Sequence, residues 1–189
     1  MNPAATLELT RELGPGERLL WSGQPRTGIR LTAGDAFHIP FSLFWAGFVC
    51  FWEYSVIQHG GPVFFLLWGI PFVVMGLYLI AGRFFVDAYR RRRTFYGLTD
   101  SRILIASGFF TRAVTGLDLG KLAQLEIRER SDGSGTISFG PYIGSMPEWM
   151  AGSWPGAGKQ LPPRFEMIES ARTVYNCIRE AQRASAVSA

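Results

Sequence analysis

Apolar positions along this chain are gathered into one long block instead of recurring at strand or helix spacing. From Ile39 to Gly82 the one acidic residue is Glu53, and no Lys or Arg occurs. A soluble core would interleave its apolar residues with charges at a period of 2 or 3.6. Two stretches stand out: Ile39–Ile57 (IPFSLFWAGFVCFWEYSVI) and Pro62–Gly82 (PVFFLLWGIPFVVMGLYLIAG). As helices they run about 28 Å and about 31 Å, and both match a hydrocarbon core of roughly 30 Å. The intervening Gln58-His59-Gly60-Gly61 is short enough to force an antiparallel hairpin. Gly69 and Gly76 share a face of the second helix, which predicts close approach to the first near Ala46 and Gly47. Pro71 predicts a kink or a local opening of the hydrogen-bond ladder. Trp52, Tyr54 and Tyr78 fit an interfacial aromatic belt. Glu53, four residues from the outer end of its span, is placed to reach the interface or to stay protonated.

Beyond Arg93 the pattern shortens to strands. Thr94–Thr99, Arg102–Gly108 and Ala113–Leu119 are separated by brief turns at Asp100-Ser101 and Phe110-Thr111. Leu122–Arg130 alternates Leu125 and Ile127 with Glu126 and Arg128, as a half-buried strand does. Asp132-Gly133-Ser134-Gly135 is a hairpin turn, and Thr136–Gly140 returns from it. A Gly- and Pro-rich stretch spans 141–163, and Arg164–Ile168 gives a last strand. Ile168, Ala171, Val174, Tyr175 and Ile178 then form one apolar stripe of a C-terminal helix. Such a helix must cover something, and a small bent sheet with an open end is the natural partner.

The arginines orient the hairpin. Arg83 and the run Arg90–Arg93 follow the second span, Arg26 and Arg30 precede the first, and the connector has neither Lys nor Arg. Basic residues are retained in the cytoplasm, so both termini are expected there, with the protein in the inner (plasma) membrane. The resulting division is an N-terminal segment (1–38), a transmembrane hairpin (39–82), a basic juxtamembrane linker (83–93), a soluble domain (94–184) and a disordered tail (185–189). No basic, then apolar, cleavable leader is visible at the start, so the first span would act as its own insertion signal.

The strand and turn sequences YGLTDSRILIASG, LDL, DGSGTISF and RFEMIESARTVYNCI resemble the bacterial PH-like domain family. The likeness extends to membrane-anchored members, because ERLLWSGQP precedes a two-helix hairpin here. It implies an α+β membrane protein: a transmembrane hairpin plus a bent antiparallel sheet of about seven strands, capped by the C-terminal helix. Six strands are visible after Arg93, and Leu19–Gly23 is the candidate for the missing edge strand.

Catalytic chemistry finds little support. His38 and His59 fall on opposite sides of the bilayer in this topology, and no Cys/His cluster has metal-ligand spacing. GSWPGAGKQ departs from a phosphate loop at Ser153 and Gln160. DGSGT lacks the acidic ladder of a calcium loop. Cys50 and Cys177 are too few for a disulfide framework and read as ordinary buried thiols. Neither a cofactor, a metal, a nucleic-acid partner nor enzymatic activity is expected. The formal net charge is +4, and the basic residues associated with the membrane are Arg83, Arg90, Arg91, Arg92, Arg93, Arg102, Arg112 and Lys121. They are candidates for contact with anionic headgroups, each contributing about 1 kcal/mol near such a surface. Within 141–163, the apolar Tyr142, Met146, Trp149, Met150 and Trp154 are candidates for an interface loop. The reading is a non-enzymatic scaffold or adaptor that binds a lipid headgroup or protein partner. The alternative is an auxiliary subunit of a membrane transport or secretion complex, its hairpin packed on another membrane protein or on its own copies.

Overall fold

The computed structural model describes residues 1–27, 35–108, 112–122, 124–144 and 161–187. They divide into a helical unit (35–87) and a β-rich unit formed by the remainder.

In the helical unit, α2 (Asp35–Gln58) and α3 (Val63–Leu77) pack along each other. The turn between them closes through Gly61 N–H to the Val56 carbonyl at 2.9 Å, with Gly60 at φ +59°. α3 runs on through a π turn (Tyr78–Gly82) into α4 (Arg83–Arg92), one helix of 30 residues whose most apolar stretch has a mean hydropathy of 2.4. α2 reaches 1.2, and only 11% of each most apolar stretch is buried. Both are long and apolar enough to cross a bilayer.

Several details differ from the sequence pattern. α2 begins at Asp35, four residues before the predicted span, because Asp35, His38 and Ser42 turn inward and are buried. The predicted linker 83–93 is helical as far as Arg92. Gly69 and Gly76 are buried as expected, but they receive Glu53 and Trp45, not Ala46 and Gly47. A Cβ at Gly69 would overlap the Glu53 carboxyl, whereas one at Gly47 would meet nothing. α3 stays helical across Pro71, and the helix widens into a π turn at Tyr78–Gly82, where Arg83 N–H reaches the Tyr78 carbonyl. Beside the proline, the Trp45 indole N–H donates to the Phe72 carbonyl at 3.2 Å. Cys50 is exposed on the outer surface of α2, not buried, and both thiols are free.

The β-rich unit holds seven strands in two antiparallel sheets, where one bent sheet was expected. The first, in the order β1 (Leu19–Gly23), β2 (Thr94–Thr99), β3 (Arg102–Gly108) and β4 (Arg112–Asp118), is a meander entered from the N-terminal segment. The second comprises β5 (Leu125–Glu129), β6 (Gly135–Phe139) and β7 (Arg164–Ile168). β4 ends one residue early because Leu119 enters a 3₁₀ turn (Leu119–Lys121), capped by the Asp118 carboxylate accepting from Gly120 N–H at 3.0 Å. β5 is shorter than the predicted Leu122–Arg130: Leu122 still closes the 3₁₀ turn, its N–H donating to the Leu119 carbonyl at 3.4 Å, and Arg130 belongs to the hairpin turn, its N–H donating to the Ser134 carbonyl at 2.8 Å.

Both sheets and the C-terminal helix α5 (Ala171–Val187) bury one core. Phe165 lies at its centre, with ring centroids 4.7 Å from Tyr96, 4.9 Å from Phe139 and 5.6 Å from Trp21. The buried Tyr96 hydroxyl accepts from Glu166 N–H at 3.0 Å. Ala171, Val174 and Ile178 line the inner face of α5; Ile168 joins the same core from β7, one turn before the helix starts. α5 continues to Val187, so residues 185–187 are helical and not a disordered tail.

A second helix was not legible in the pattern. α1 (Pro3–Thr10) starts at Asn2, whose side chain accepts from Ala4 N–H at 3.0 Å, with Pro3 in the first turn. Its Ala5 and Leu9 pack on Leu104 and Ala106 of β3. This explains why β3 reads as a continuous apolar run: Ile103 and Ile105 face the main core while Leu104 and Ala106 lie under α1, so both faces are covered.

Candidate functional site

The eight basic candidates separate into held and free groups. Arg83 turns into the hairpin, where Nη1 meets Asp35 Oδ1 at 2.7 Å; the two side chains are only 13% and 8% exposed. Its guanidinium also stacks on the Phe84 ring at 4.5 Å. Arg91 is buried, with Nη1 3.5 Å from the Met167 sulfur. Both are therefore turned away from solvent, unlike the other headgroup candidates. At 100° per residue, four consecutive arginines radiate around a helix, so one of them must point toward the body of the protein.

Arg102 and Arg112 are drawn together by the N-terminal segment. Arg102 grips Glu17 through Nε and Nη2, both at 2.8 Å, and donates Nη2 to the Glu12 carbonyl at 2.9 Å. Arg112 reaches Glu12 at 3.1 Å and Glu8 at 3.4 Å. Both are therefore structural ties between β3–β4 and the α1 region, with side chains that stay 38% and 43% exposed. Glu17 further accepts from Gly14 N–H at 2.7 Å, from the Thr99 hydroxyl at 2.7 Å and from the Ser101 hydroxyl at 3.1 Å. The Arg102 fork, reinforced by those donors against the cost of burial, holds the Glu17 carboxyl down to about 2. Glu17 in turn raises the Arg102 guanidinium above its ordinary range.

Arg90, Arg92 and Arg93 remain exposed at the end of α4, with the Arg93 guanidinium 4.9 Å above the Tyr89 ring. Cations at a helix C-terminus also oppose the negative end of its dipole. Lys121 is exposed in its 3₁₀ turn, with Asp118 at 3.9 Å. Tyr142 is half-buried. Met146, Trp149, Met150 and Trp154 lie outside the described residues.

No protein-family model, curated protein or solved structure matches the chain. The chemistry must therefore be read from the geometry. Three exposed guanidiniums on one helix end present planar N–H donors, which suit phosphate or carboxylate oxygens. Among the described residues no group of three or more His, Cys, Asp or Glu side chains gathers to hold a metal.

Sequence reasoning missed the partners that sort these arginines. Glu17 and Arg102 are 85 residues apart in sequence, and Asp35 and Arg83, which meet at the open end of the hairpin, flank its whole length in sequence. The one available signal was an acidic residue placed just outside an apolar span, a poor location for an unpaired charge. Arg26, a topology marker in the sequence, also bridges Asp132 at 2.7 Å and Glu169 at 3.2 Å. Ser134 hydrogen bonds, followed by Arg26, draw the Asp132 carboxyl below its ordinary range.

Proposed function

We propose that this chain is a membrane-anchored, non-enzymatic interaction module whose exposed arginines engage anionic lipid headgroups at the cytoplasmic surface. In this reading α2 and the helix from Val63 cross the bilayer, both termini are cytoplasmic, and the β-rich unit is PH-like. Four plus three antiparallel strands followed by a C-terminal helix support the PH-like assignment. One observation carries the headgroup reading: the helix that begins with an apolar stretch of mean hydropathy 2.4 runs on through a π turn to exposed Arg90 and Arg92, with exposed Arg93 in the turn that follows. An arginine cluster immediately beyond an apolar span lies at headgroup depth when that span is inserted.

The test is the lipid retained by the full-length chain on purification from mixed membranes, measured by mass spectrometry. The wild type enriches anionic over zwitterionic lipid, and Arg90→Gln/Arg92→Gln/Arg93→Gln lowers that enrichment roughly tenfold, from about 1 kcal/mol per arginine reduced by salt screening. Changing the held Arg91 and Arg102 has no comparable effect on lipid selectivity. Equal enrichment in wild type and triple variant refutes the headgroup reading.

A second reading, an auxiliary subunit of a larger membrane complex, is favoured by one feature of the hairpin. Phe37, Phe41, Trp45, Phe72, Trp68 and Phe64 form a row of rings with successive centroids 6.0 to 6.4 Å apart. Stacked aromatics give a rigid surface that suits packing against another protein's helices. Gentle detergent purification tests it: stoichiometric co-elution of a second membrane protein supports this reading, and elution of the chain alone counts against it.

A further inference from the structure

The free edge of a sheet exposes unpaired N–H and C=O groups, and proteins usually blunt it with charges, bulges, proline or a covering segment. Two sheets ordered β1–β4 and β5–β7 leave four edges: β1, β4, β5 and β7. Three carry such a device. β1 shifts register between Leu19 and Trp21, and Asn2 N–H donates to its Ser22 carbonyl at 3.2 Å. β5 presents exposed Glu126, Arg128 and Glu129. β7 bulges opposite Gly135 and Ile137, has Met167 at φ 50°, and gives the Met167 carbonyl to Arg26 N–H at 3.0 Å.

Among the described residues β4 has none of these. Its seven residues pair with β3 without a register shift and contain no proline. All are exposed except the half-exposed Leu117, and Ala113–Leu117 between the two ends carry no charge. The charges are confined to the ends: Arg112 at the start and Asp118 at the finish.

We propose that β4 pairs with β4 of a second copy of this chain, antiparallel and centred on Thr115. In that register Arg112 stands opposite Asp118 of the second copy, and the same pair forms again at the other end. Val114 then faces Gly116, Ala113 faces Leu117, and Thr115 faces Thr115. Arg112, Val114, Gly116 and Asp118 project to one face, as their β3 partners Gly108, Ala106, Leu104 and Arg102 show, so the opposed charges meet on the same side of the joined sheet. Opposite-charge and Thr–Thr cross-strand pairs are favourable, and like charges directly opposite are not. Parallel pairing would place Arg112 beside Arg112, and any other antiparallel register would separate the charges. The strand is thus complementary to itself in one arrangement. Arg112 keeps its contacts to Glu8 and Glu12, because a guanidinium has five N–H donors. Asp118 accepts from Gly120 N–H through Oδ1 at 3.0 Å, and its Oδ2, which makes a solvent-exposed 3.9 Å contact with Lys121, has lone pairs left for a guanidinium.

Disulfide trapping tests the register in the full-length chain within native membranes, with Cys50→Ser and Cys177→Ser as background. Directly opposed residues of an antiparallel pair have Cα atoms about 4.5–5.5 Å apart, inside the roughly 4.4–6.8 Å a disulfide spans. Thr115→Cys should give covalent dimer on mild oxidation. Ala113→Cys, equally exposed but about 13 Å from its own copy at 3.3 Å per residue, should not. Adding Asp118→Arg to Thr115→Cys sets arginines opposite each other at both ends and should reduce dimer yield roughly tenfold. The proposal is overturned if Thr115→Cys cross-links no more than Ala113→Cys, or if Asp118→Arg leaves the yield unchanged.

Discussion

Replacing Glu17 with Gln removes the carboxylate that organises the polar cluster joining the N-terminal segment to the β2–β3 turn. Five donors converge on it, two of them from the Arg102 fork. A carboxyl that ionises near 2 instead of 4.5 stabilises the fold by at most about 3 kcal/mol, at roughly 1.36 kcal/mol per pH unit. Glu17 is only 6% exposed, but Arg102 is 38% exposed, and solvent screening brings the contribution to about 2 kcal/mol. That corresponds to roughly 30-fold in the opening equilibrium. The assay is amide hydrogen exchange of the full-length chain in nanodiscs, read at the buried Leu98, Ile103 and Leu104. At about pH 7, Glu17→Gln should speed their exchange roughly 30-fold. Because the folded-state value is depressed, this stabilisation is complete above about 4.5 and is lost as pH falls toward about 2. The difference between wild type and variant must therefore close across that window. An acceleration below about threefold at neutral pH, or a difference that persists undiminished near pH 2, refutes the reasoning.

Two further predictions concern the hairpin. Gly69→Ala forces a methyl into the Glu53 carboxyl and should cost about 1–3 kcal/mol in SDS-induced unfolding, with Glu53→Ala added in the same chain restoring most of the loss. No rescue by the second change would show that the two side chains do not meet. Asp35→Ala leaves the Arg83 guanidinium buried without its carboxylate and should cost about 3–5 kcal/mol in the same assay, whereas Asp35→Ala/Arg83→Leu recovers much of it. A double variant as unstable as the single one would refute the pair's importance.

What could be read from sequence follows physical range. The apolar spans are legible because membrane burial leaves a continuous signal, and β2, β3 and β7 were bounded correctly because turns and alternation are local. The start of α2 is not legible because a polar residue looks the same whether it faces water or, like Asp35, a buried arginine. Gly69 announced a close approach but not its occupant: a small residue marks a space, and only the fold supplies Glu53 to fill it. α1 is eight residues long, too short for periodicity to register, and its cap at Asn2-Pro3 was the available cue. The basic set was the least legible part. Arg90 and Arg91 are identical neighbours in sequence, and only tertiary packing turns one outward and the other onto Met167.

The whole account depends on α2 and the Val63–Arg92 helix being in lipid. Alkaline carbonate washing of membranes from cells making the full-length chain tests this most directly. Retention in the pellet after the wash, with release only by detergent, is the predicted result. Recovery of the chain in the wash supernatant would contradict it.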